Sequence, residues 1–117
     1  MRIVEYKTTV SAEPSAFMRS VARFGYYQQA AWYLDMVYAL GIADDPAFVF
    51  IAQEKNPPYL VTMFELDEEA LRIGRKRNRE AIEVFADCTA RDEWPGYTNE
   101  VATISLPAWM DYEEMSL

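Results

Sequence analysis

The sequence predicts a mixed α/β domain, an α+β arrangement in which a three-stranded sheet is packed by helices in the order β-α-α-β-β-α. Three observations carry this. The opening stretch RIVEYKTTV, Arg2 to Val10, is rich in β-branched residues and alternates in character, as a strand does. Tyr26 to Leu40 places Tyr26, Ala30, Tyr33, Val37 and Leu40 at helical spacing. The apolar run FVFIA, Phe48 to Ala52, and a second run, Tyr59 to Leu66, flank Asn56-Pro57-Pro58, which reads as a hairpin.

The remaining elements follow in chain order. On the first strand Ile3, Glu5 and Lys7 share one face and Val4, Tyr6 and Thr8 the other, because the strand period is two. Ser11, or Glu13-Pro14, opens a short amphipathic helix over Ser15 to Arg23, with Phe17, Val21 and Phe24 inward. Gly25 weakens or bends the helical run, and Gly41 stops the second helix. Asp67 caps a third helix that carries Glu68 and Glu69 in its first turn and runs to about Ala90. Trp94-Pro95-Gly96-Tyr97 is a turn. The last twenty residues are expected to wrap the surface, anchored by Leu106, Pro107 and Trp109, with Asp111 to Glu114 a solvated end. Cys88, Trp32 and Trp94 read as packing residues. The whole, residues 1–117, reads as a single small domain.

Composition limits the chemistry. Hydrophobic residues make up 51% and charged residues 26%, a globular rather than disordered balance, and aromatics reach 15%. With one cysteine, a disulfide within the chain is ruled out, and so is a cysteine-based zinc site. With no histidine, imidazole bases and imidazole metal ligands are excluded within these residues. Any metal would be held by oxygens, which suits Mg2+ or Mn2+. The net charge of −8 argues against a stand-alone nucleic-acid binder. No stretch has the length of a membrane span or the pattern of a signal peptide, so a cytoplasmic protein is expected.

Three constellations could carry function. Glu5-Tyr6-Lys7 points a carboxylate and an ammonium to one side of a strand; metal-assisted phosphodiester cleavage needs both a ligand and a positive group. The plain alternative is an exposed strand face with an ion pair. Tyr26, Gln29 and Tyr33 share one helix face; the alternative is an amphipathic core helix whose tyrosines keep their hydroxyls wet. Arg72, Arg75, Lys76, Arg77 and Arg79 could track a phosphate backbone. Glu68, Glu69, Glu80 and Glu83 at helical spacing favour instead a solvated, ion-paired face.

Taken together and in order, these segments resemble a known family. IVEYKTT resembles the Asp-x-Lys strand of the PD-(D/E)xK nucleases in the form carried by exodeoxyribonuclease VIII (RecE-type) proteins. FGYYQQAAWYLD resembles the Tyr-x-x-Gln-x-x-x-Tyr helix of RecB-type and RecE-type members, and FVFIAQEKNPPY the strand and turn after it. EWPGY followed by LPAW resembles the family's C-terminal stretch. The resemblance implies the C-terminal part of a PD-(D/E)xK core acting on DNA with Mg2+ or Mn2+. It implies Glu5 as a metal ligand in place of the usual aspartate, the backbone carbonyl of Tyr6 facing the metal, and Lys7 as the catalytic lysine. Gln29 would orient groups near the site, supported by Tyr26 and Tyr33. The family's first aspartate and the RecE-type histidine lie upstream of the matching strand, so the chain is expected to be incomplete as a nuclease alone. A homo-oligomer would cover the open sheet edge. The alternative function is a non-catalytic acidic module that binds a protein with a basic surface, such as a phage-encoded inhibitor of a nucleic-acid enzyme.

Overall fold

β1 (Arg2–Thr9) is followed by α1 (Pro14–Phe24), α2 (Tyr26–Ala39), β2 (Ala47–Glu54), β3 (Val61–Phe64) and α3 (Glu68–Arg91) in a computed structural model that describes residues 1–110. The acidic stretch Asp111 to Glu114 lies outside the described residues. The described chain divides into two units, Met1–Phe85 and the residues from Ala86 onward, and the division falls within α3.

In the first unit the sheet order is β1-β2-β3, with β1 parallel to β2 and β2 antiparallel to β3. Parallel neighbours need a long crossover, and α1 with α2 supplies it. The register pairs Glu5 with Phe50 and Lys7 with Ala52. Alternation sorts the sheet into two faces. Ile3, Phe48, Phe50 and Phe64 pack with Phe17 and Val21 of α1, Ala30 and Leu34 of α2, and Leu71 of α3. On the opposite face Val4, Tyr6, Val61 and Met63 are each more than half exposed.

The core is an aromatic stack. Phe17, 1% exposed, lies parallel to Phe64 at 4.6 Å between centroids and meets Phe50 edge-on at 5.8 Å. Tyr26 stacks on Phe50 at 5.9 Å, and Phe48 meets Phe50 edge-on at 5.0 Å. Offset and edge-to-face pairs of this kind add to simple area burial.

The helix ends explain the boundaries. Glu13 caps α1 by accepting from the Ser15 and Ala16 backbone N–H groups, both at 3.1 Å, with Pro14 in the first turn where its missing N–H costs nothing. Gly25, at φ +71°, does more than bend the run: it ends α1 and starts α2. That left-handed residue turns the chain, so Phe24 is exposed rather than inward as its spacing predicts. Leu40, also assigned to the helical repeat, is the exposed C-cap of α2. Tyr59 sits at φ +60°, which no strand tolerates, so β3 begins at Val61.

Glu13 makes the cap of α1 sensitive to acid. The Ser15 hydroxyl, donating at 2.6 Å, lowers its pKa most, followed by the two N–H groups. A depressed folded pKa means the cap stabilises fully above the ordinary range near 4.5 and is lost as pH falls through the lowered value. The stability gap between the wild-type chain and Glu13→Gln is therefore expected to be constant near neutrality and to shrink below about pH 4.5. Urea unfolding across pH checks this; a gap that stays flat into acid would rule it out.

In the second unit α3 ends as a Schellman motif. Asp92 is left-handed at φ +55°, and the Glu93 N–H donates to the Cys88 carbonyl at 3.1 Å. Cys88 is buried, as expected. Trp94 is not: it is largely exposed. The expected anchor is also corrected, since Leu106 and Trp109 are both exposed. Without helical or strand periodicity around them, their apolar character alone does not supply a face to bury. Among the described residues no helix is long and apolar enough to cross a membrane.

Candidate functional site

β1 puts Glu5 and Lys7 on the helix-covered face, near the sheet edge. Their side chains are 33% and 20% exposed, and Lys7 Nζ lies 3.5 Å from Glu5 Oε1. The Tyr26 ring covers the same ammonium at 4.3 Å, a cation–π contact. Lys7 is thus held from two sides, by a carboxylate on its own strand and by the first residue of α2. The strand period of two is enough to bring Glu5 and Lys7 together. The Tyr26 contact has no signal in the sequence, because it depends on how Gly25 aims α2 across the sheet.

The three residues of the α2 face part company. Tyr26 reaches Lys7 and Phe50. Tyr33 stacks on Phe48 at 6.2 Å, and Phe48 is the register partner of Ile3, so it serves the other end of the strand. Gln29 lies between them in sequence, and its Oε1 is enclosed without a hydrogen-bond partner among the described residues. A buried amide oxygen left in this state costs about 1–3 kcal/mol.

Tyr6 divides its groups. Its hydroxyl donates to Gln53 Oε1 on the open face of the sheet, away from Glu5. Its backbone points elsewhere again. The carbonyls of Met1 and Thr9 accept from Ala47 and Lys55, so odd-numbered residues of β1 face β2. The alternation leaves the Tyr6 carbonyl at the free edge.

These oxygens suit a hard divalent ion in kind but not in number. One carboxylate and one carbonyl fall short of the near-octahedral shell magnesium requires. Among the described residues no three Asp, Glu, Cys or His side chains gather in one place. No step through a metal follows from these residues alone.

The basic run on α3 is engaged in part. Arg72 pairs with Glu69 at 2.6 Å, an interaction that lowers the Glu69 pKa and raises that of Arg72. Arg75 pairs with Asp35 of α2 at 2.8 Å. Lys76, Arg77 and Arg79 line the rest of the run, all three exposed. Trp32, read as packing, instead stands half exposed in a groove between α2 and α3 with Met36 and Ile82.

A parallel strand pair bridged by helices, with an acid-x-Lys strand facing a tyrosine-bearing helix, is consistent with a PDDEXK-like fold. The chain belongs to the family described as PDDEXK-like domain of unknown function (DUF3799), whose model matches residues 1–107. No curated protein matches the chain.

Proposed function

We propose that the chain is part of a RecE-type, exodeoxyribonuclease VIII-like centre for metal-dependent hydrolysis of DNA. Glu5 and the Tyr6 carbonyl would offer oxygens to Mg2+ or Mn2+, which when bound would activate water for attack on phosphorus. Lys7 would set positive charge against the scissile phosphate. Gln29 would orient a donor near the site, with Tyr26 holding Lys7 in place and Tyr33 supporting the helix. A further carboxylate would have to come from outside the described residues. The observation that carries the reading is the Glu5–Lys7 pair under the Tyr26 ring.

The test is digestion of linear duplex DNA with Mg2+ or Mn2+ by the chain and by Lys7→Ala. Digestion by the wild-type chain that Lys7→Ala abolishes is the expected result for a working centre. Equal and negligible digestion by both would end the nuclease reading for this chain alone. It would favour instead a non-catalytic, protein-binding acidic module, to which the net charge of −8 and the exposed Val4, Tyr6, Val61 and Met63 lend support.

A further inference from the structure

β1 and β2 run parallel and end side by side, at Thr9 and Glu54. In open α/β sheets ligands settle beyond the carboxyl ends of the strands. Here that place holds a cavity of about 420 Å³, walled by Thr9 and Ser11, by Lys55 just after β2, by Ser20 and Phe24 of α1, and by Tyr26. Pockets for small ligands span about 300–1,000 Å³. Tyr26 is shared with the candidate site, since its ring also covers the Lys7 ammonium at 4.3 Å.

The charge of the lining has one sign. The chain carries 19 Asp and Glu against 11 Lys and Arg, yet none of the acids lines this cavity. The groove between α2 and α3 includes Asp35, and the hollows beside β3 include Glu65. Glu54, next to Lys55, is committed elsewhere: its carboxylate accepts from the Ala12 backbone N–H at 2.9 Å. Among the described residues Lys55 has no ion-pair partner. Ser11 Oγ accepts from the Glu13 N–H, which leaves its own hydrogen to donate. An ammonium and serine hydroxyls suit a single phosphate group. Phe24 completes the lining. It is 62% exposed, with its ring 5.8 Å from the Tyr26 ring and 5.7 Å from the Arg23 guanidinium. Single exposed apolar residues are common. An exposed ring beside cations and hydroxyls is a surface on which a nucleobase stacks.

We propose that this cavity takes one unpaired nucleotide of a DNA strand, its base against Phe24 and its phosphate against Lys55, Ser11 and Ser20. Tyr26, in contact with Phe24 and Lys7 alike, links that nucleotide to the Glu5–Lys7 pair. A base inside a duplex is stacked on its neighbours and cannot reach the ring, so the cavity selects frayed or single-stranded ends. The net charge of −8 does not oppose this, because the cavity meets one phosphate rather than a tract. The proposal rests on the nuclease reading for the strand that enters. It is tested by binding without metal, so its failure and a failure to cleave are separate results.

The test follows backbone amide shifts of the full, isotope-labelled chain by NMR, at low salt and without divalent ions. Hexathymidylate, thymidine monophosphate, inorganic phosphate and a blunt hairpin duplex are added in turn. Hexathymidylate is expected to shift the amides of Ser11, Ser20, Phe24 and Lys55, its affinity falling with salt at a logarithmic slope of about −0.7, that of one phosphate on a single strand. Thymidine monophosphate should shift the same amides more weakly, and the duplex should leave them in place. Phe24→Ala should weaken hexathymidylate binding by roughly fivefold or more, and Lys55→Ala by roughly tenfold. Phe24→Tyr and Lys55→Arg should retain most of it. Phe24 and Lys55 are both exposed, and an unchanged amide pattern away from the cavity checks that each variant is folded. The proposal is overturned if hexathymidylate at millimolar concentration leaves these amides unmoved, or if phosphate or the duplex moves them as strongly. It is overturned equally if either alanine variant binds like the wild-type chain. Binding of thymidine monophosphate without hexathymidylate would also overturn it, and would make a free nucleotide the occupant.

Discussion

Replacing Phe17 with alanine is expected to lower the stability of the chain by about 3–5 kcal/mol, the range for truncating a buried phenylalanine. The position explains the size. Phe17 is 1% exposed and touches three other rings: Phe64 face to face at 4.6 Å, Phe50 edge-on at 5.8 Å and Tyr26 at 6.1 Å. It is where α1 closes on the sheet, so the void would sit between two layers and neither could collapse without pulling β3 or α2 along. Small domains have only about 5–15 kcal/mol in total. At a urea slope of about 1–3 kcal/mol per molar for a small protein, the midpoint should fall by roughly 2 M. Phe17→Leu keeps much of the volume and should fall between the two. Met63→Ala, on the open face at 71% exposure, should stay within about 0.5 kcal/mol of the wild-type chain. If Phe17→Ala and Met63→Ala proved equal, the assignment of the covered and open faces would be wrong.

The elements that the sequence makes legible are those whose periodicity is self-contained. β1, α2 and β2 each repeat their own face often enough to be read without neighbours, and the sorting of Ile3, Glu5 and Lys7 from Val4, Tyr6 and Thr8 follows from the pleat alone. What fails is local geometry that side-chain type does not announce. The left-handed turn at Gly25 takes Phe24 out of the α1 face, and the positive φ of Tyr59 removes two residues from the start of β3. The C-terminal segment fails for a different reason. Leu106 and Trp109 are apolar, but no repeat in that stretch says which side they present or to what, and both remain exposed.

The candidate site divides in the same way. That Glu5 and Lys7 meet is a property of one strand. That Tyr26 lies over Lys7 at 4.3 Å, or that Arg75 finds Asp35 rather than a glutamate of its own helix, is a property of how two elements cross. Spacing puts Tyr26, Gln29 and Tyr33 on one face, yet only the packed structure shows them in separate surroundings, with Tyr33 on Phe48 and the Gln29 oxygen enclosed and unmatched.

The crossing of α2 and α3 rests on a residue that helical propensity would discourage, and Gly74→Ala is expected to destabilise the chain. In an exposed helix interior the change would gain about 0.8–1 kcal/mol, since glycine is a poor helix former. Here the added Cβ would stand 2.5 Å from the Tyr27 carbonyl oxygen and 3.0 Å from the Ala31 Cβ. Neither can yield: one is the backbone of α2, and the other is a fully buried methyl. The helices must separate, which loosens the bond from Asn78 Nδ2 to the Gln28 carbonyl at 3.0 Å and the Arg75–Asp35 pair on the same seam. Overpacking of this kind costs about 1–3 kcal/mol, which outweighs the propensity gain over most of its range. Gly74→Val, bulkier and β-branched, should cost more. Arg77→Ala, exposed on the same helix, should change stability by no more than about 0.5 kcal/mol. Thermal and urea unfolding of the three variants decides the sign: a Gly74→Ala chain more stable than wild type would mean that the close approach of α2 and α3 is not what glycine is there to permit.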